Sequence, residues 1–143
     1  MTMKEMQQKT IDTMRQWQKV EYDSVASTAQ IMKKTDNPII HMVMEIIQRD
    51  SMMHYRVQRW IADSLEQKAV SLSPDELAEV WNEIESHQAL ERKMVEGAEE
   101  MIASLKSYAM PLQKYFLNYL LNDEKKHNDL LSALENIKKG FLP

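Results

Sequence analysis

Along most of the chain, apolar residues recur in steps of three and four. In the third quarter Leu77, Val80, Ile84, His87, Glu91, Met94, Ala98, Met101 and Leu105 advance as one stripe of a helix must. A fourth segment repeats the pattern with Phe116, Leu120, Asp123, His127, Leu130, Leu134 and Ile137, and a second with Val43, Ile47, Asp50, His54, Val57 and Ile61. The first segment carries it more faintly in Met14, Trp17, Glu21, Ser24, Thr28 and Ile31. Breakers separate the segments. Asn37-Pro38 offers a cap followed by a proline at the first helical position, and Ser73-Pro74-Asp75-Glu76 reads as a capping box. Met110-Pro111 starts the fourth segment with a poorer cap, and Gly140 with Pro143 closes it. The pattern predicts four helices of roughly 25 to 35 residues, long for a globular protein. The expected fold is an all-α four-helix bundle of two helical hairpins, forming a single domain over residues 1–143.

Each stripe is apolar towards its ends and ionisable near its middle. A carboxylate inside a bundle costs several kcal/mol unless it shifts its pKa or finds a cation. Here all four helices place one there, and at matching depth. Glu21 lies 38 − 21 = 17 residues before Pro38, and His54 lies 54 − 38 = 16 after it; Glu91 lies 111 − 91 = 20 before Pro111, and His127 lies 127 − 111 = 16 after it. Aligning Pro38 with Pro111 superposes Asp50-Ser51-Met52-Met53-His54 on Asp123-Glu124-Lys125-Lys126-His127. The halves are an internal repeat. Three of the four histidines, His54, His87 and His127, fall on the stripes, while His41 does not.

Composition narrows the chemistry. There is no cysteine, hence no disulfide, no thiolate metal site and no cysteine nucleophile, which fits a cytoplasmic protein. Lys+Arg 18 against Asp+Glu 22 gives a net charge of −4, with both signs interspersed, so no nucleic-acid footprint is expected. The longest uncharged stretch, Ser24 to Met32, is too short to span a membrane, and the protein is expected to be soluble. Phosphate-binding loops and Ser/His/Asp arrangements are missing from the sequence. The methionines, Met42, Met44, Met52 and Met53 among them, read as adaptable core filling, and Tyr22, Tyr55, Tyr115 and Tyr119 as packing beside the ionisable layer.

Glu124-x-x-His127, a lone Glu91 one helix earlier, and a lone Glu21 followed by Asp50-x-x-x-His54 resemble the ferritin-like superfamily, rubrerythrins in particular. Such proteins hold two metal ions between four helices, each half supplying a glutamate and a Glu-x-x-His pair. The resemblance implies Glu21, His54, Glu91, Glu124 and His127 as metal ligands for iron, as one ion or two, with manganese or zinc as alternatives. It further implies that Asp50 orients His127 and Asp123 orients His54 by hydrogen bonds. His87, one turn before Glu91, is either a replacement ligand or a hydrogen-bond partner of Glu91.

Two positions depart from the family pattern. Ser51 stands where the first motif glutamate is expected, so the site is expected to be asymmetric, filling first at Glu91, Glu124 and His127. Met94 replaces a glutamate associated with rubrerythrin redox chemistry. Ferritin-like topology implies a crossover between the second and third helices over the 11 residues Asp63 to Ser73, reaching about 36 Å if extended; an up-down-up-down bundle is the alternative. A storage cage is not expected, because the chain ends at Pro143 without a further short helix. The expected function is a rubrerythrin-like non-haem di-iron oxidoreductase acting on peroxide or dioxygen, with an external electron donor and a homodimeric state. A non-catalytic metal-binding or sensing relative, and a helical interaction module with a buried polar layer, are the other classes.

Overall fold

A computed structural model describes residues 1–67 and 71–140. The protein is all-α, as expected, and among the described residues four helices and no strand occur: α1 (Met3–Lys33), α2 (Pro38–Glu66), α3 (Pro74–Ser104) and α4 (Pro111–Lys138). The breakers act as read. The Asn37 side chain accepts hydrogen bonds from the amides of Ile39 and Ile40, and Ser73 with Glu76 closes a reciprocal capping box. Thr2 and Glu5 form another at the start of α1, and Met110 gives α4 no side-chain cap. Gly140 ends α4 at φ 80°, a left-handed conformation that glycine adopts without a Cβ penalty.

Helices pair in chain order, so that α1–α2 and α3–α4 are two compact helical hairpins. In the first, Ile11 and Met14 of α1 pack on Ala62 of α2, flanked by Ile61 and Leu65. Arg15 closes this end with ion pairs to Asp63 at 2.8 Å and Glu66 at 3.0 Å. Towards the turn the contact becomes polar: Ser24 and Ser51 share a hydrogen bond of 2.8 Å, and Gln48 donates to the Val25 carbonyl at 3.2 Å. In the second hairpin Leu77, Gln88 and Glu91 of α3 are buried, and Gln88 Nε2 donates to Ser132 Oγ of α4 at 3.1 Å.

Three expectations change. The buried side of α2 centres on Ser51 and Ala62, whereas Ile47, Asp50, His54 and Val57 of the expected stripe are exposed. His54 is three residues from Ser51, so the contact with α1 is centred about 60° round the helix from that stripe, whose Ile61 still packs on the core and whose His54 still reaches Glu21. Periodicity finds the period more readily than its phase when apolar residues cover a broad arc. The methionines are not core filling as a group either: Met14 is buried, but Met42, Met52 and Met53 are exposed. The linker is shorter than expected, because Asp63–Glu66 continue α2. That leaves 73 − 66 = 7 residues before Pro74, about 25 Å when extended. The expected crossover also involves residues 68–70, which lie outside the described residues. No helix among the described residues is long and apolar enough to cross a membrane.

Candidate metal centre

In the second hairpin the i, i+3 spacing of Glu124 and His127 sets both side chains on the side of α4 that meets Glu91 of α3. Glu91, Glu124 and His127 each offer one ligand atom, and these atoms lie within 4.8 Å of one another. His127 Nδ1 stands 3.4 Å from Glu91 Oε1 and 3.9 Å from Glu124 Oε2. The other ring nitrogen, Nε2, is 3.4 Å from Asp123 Oδ2, so the imidazole has a carboxylate on each side. Asp123, expected by resemblance to orient His54, thus faces the histidine of its own helix and also pairs with Lys126 at 2.9 Å. His87 Nε2 lies 2.9 Å from Glu91 Oε1, hydrogen-bonded to it across one helical turn.

The two carboxyl groups titrate as a pair. The side chain of Glu124 holds Glu91 below the ordinary carboxylate range; burial opposes this, and His87 and His127 reinforce it. The Glu91 side chain, with burial, pushes Glu124 upward. Glu124 thus holds a proton more tightly than Glu91 does. The Glu91 side chain is only 8% exposed, and its Oε2 is buried without a hydrogen-bond partner. Such an orphaned acceptor, beside a second carboxylate and an imidazole nitrogen, is the donor set that a divalent first-row cation takes. The residues fit the group.

The first hairpin repeats half of this arrangement. His54 Nδ1 lies 3.6 Å from Glu21 Oε2, an atom that is otherwise buried without a hydrogen-bond partner. At the Glu124 counterpart, Ser51 is buried and bonded to Ser24. Asp50 is exposed. Tyr22 and Tyr55, with Glu21, Val25, Met52 and Arg56, line a cavity of about 320 Å³ beside this pair. His41 bonds to the Thr35 carbonyl near the α1–α2 turn and takes no part in either cluster. Among the described residues, Glu91, Glu124 and His127 form the three-ligand group.

Two buried residues escaped the sequence reading. Gln18 and Gln88 each precede a glutamate of the ionisable layer by three positions, and each reaches across its hairpin, Gln18 to the Tyr55 carbonyl at 3.5 Å and Gln88 to Ser132. The signal was a repeated Gln-x-x-Glu, overlooked because glutamine is not ionisable. Comparison with family models, curated proteins and solved structures finds no match.

Proposed function

We propose that this protein binds a transition-metal ion at Glu91, Glu124 and His127 and works as a non-haem iron oxidoreductase on peroxide or dioxygen. The observation that carries the reading is the grouping of two carboxylates and an imidazole from two helices, one of the carboxylates being the buried Glu91. Iron, when bound, would supply the redox chemistry, with manganese or zinc as the competing occupants of an oxygen and nitrogen donor set. The chain's own part is to present ligands and manage a proton. Glu124, which holds a proton more tightly than an ordinary carboxyl, would have to be ionised to serve as a ligand, and Asp123 lies against the far side of His127, where it favours the tautomer with Nδ1 free. Glu21 and His54 form a second, weaker position, lacking a carboxylate where Ser51 stands. The rubrerythrin-like assignment, and with it an external electron donor, a homodimer and a cytoplasmic setting, rests on the motif residues alone.

Elemental analysis of protein purified without added metal tests the reading, followed by peroxide turnover. Metal with turnover supports the oxidoreductase, whereas metal without turnover makes the protein a sequestering or sensing one. A metal-free preparation that also takes up none on loading would favour the second reading, a helical interaction module. Its support is the buried polar contact of Ser24 with Ser51 and of Gln88 with Ser132, which can fix register without any ion.

A further inference from the structure

We propose that His87 is a positioning residue that holds the Glu91 carboxylate in place for the metal; this deepens the metal-binding reading and rests on it. The two oxygens of Glu91 are treated differently. Oε1 is met by His87 Nε2 at 2.9 Å and by His127 Nδ1 at 3.4 Å, while Oε2 is buried with no partner. Helical side chains lean towards the N-terminus, so Glu91 is laid over the turn that carries His87. A ring N–H at Nε2 donates to Oε1 and holds the carboxylate plane, so that the group is already oriented before an ion arrives. A freely rotating carboxylate would have to be ordered on binding, at a cost in side-chain entropy.

His87 suits this role better than that of a ligand. Its side chain is 59% exposed, and its Nε2 is engaged with Glu91. It is not one of the three residues whose ligand atoms gather within 4.8 Å. The first hairpin has Trp17 at the matching place, four residues before Glu21, so the two hairpins differ at this position as they do at Ser51 and Glu124.

Calorimetric titration of the metal-free full chain with Co²⁺, with its visible d–d absorption recorded in parallel, tests the assignment on the unmodified protein, His87→Ala and His87→Gln. Loss of an outer-shell partner weakens metal binding by about 10- to 100-fold, and this is the loss expected for His87→Ala. Glutamine keeps an N–H donor one turn from Glu91 but is a poor ligand for Co²⁺, so His87→Gln should recover most of the affinity and the unmodified spectrum. Equal affinity in His87→Ala would overturn the proposal. So would a His87→Gln as weak as His87→Ala, which would make the imidazole itself a ligand. If the unmodified protein binds no Co²⁺, the metal-binding reading fails and the proposal with it.

Discussion

Glu91 and Glu124 shift in opposite directions, and the two shifts set the pH behaviour of the pair. Glu124 is raised, so its contribution to stability is complete below the ordinary carboxylate range and is lost as pH rises through its folded-state value. Glu91 is lowered, so its contribution is present above that range and is lost as pH falls through its own value. The pair stabilises the fold most in the window between the two values, where one proton remains. A metal ion must displace any proton held by its ligands, so affinity should climb with pH as Glu124 ionises. Titrations at several pH values check the slope, and Glu124→Gln, which keeps a neutral donor but loses the carboxylate, should bind metal weakly with a flattened slope. Ser51 allows the converse experiment. Since its side chain is buried against Ser24, Ser51→Glu adds volume and should destabilise the metal-free protein by about 1–3 kcal/mol. It should also raise the bound metal from one ion to two under identical iron loading, read by elemental analysis. At this scale the Glu124-x-x-His127 pair was legible because helical geometry puts i and i+3 on one side whatever the fold. The opposed shifts of Glu124 and Glu91 were not, because they depend on a contact between helices.

Helix starts were the most readable feature of the elements, because a cap is a local bond between residues two or three apart. Asn37 accepts from two amides at the head of α2, and Asn37→Ala should cost about 1 kcal/mol, seen as a lower urea midpoint with an unchanged slope. The end of α2 was less legible. Asp63–Glu66 were assigned to a linker, yet they continue the helix, with Asp63 and Glu66 tied to Arg15 of α1, residues 48 and 51 positions away. Such distant partners leave no local signature. The phase of α2 was misread for a related reason. Its apolar residues occupy a wide arc, and only the mate helix decides that Ser51 and Ala62 face inward while Ile47 and Val57 stay exposed.

For the molecule as a whole, the proposed metal binding would be one equilibrium with folding, because unfolding separates Glu91 from Glu124 and His127. An ion present at about 100 times its dissociation constant should stabilise the fold by about 2.7 kcal/mol. Differential scanning calorimetry with and without metal should show a higher transition that a chelator reverses; an unchanged transition would mean that no ion binds the native state. The sequence by itself determined the helical class, the number of helices, their starts, and the placing of carboxylates and imidazoles at one depth in each half. These are consequences of period, capping and proline geometry, all acting within a few residues. Tertiary structure alone decided which side of α2 is buried, that Ser51 is spent on Ser24, that Asp123 serves His127 in its own helix, and that His87 grips Glu91 while leaving Oε2 unpaired. Periodicity places residues on a helix but leaves rotation and side-chain pairing open; these are settled by packing against a second helix, where burial makes each polar atom find a partner or remain available for a ligand.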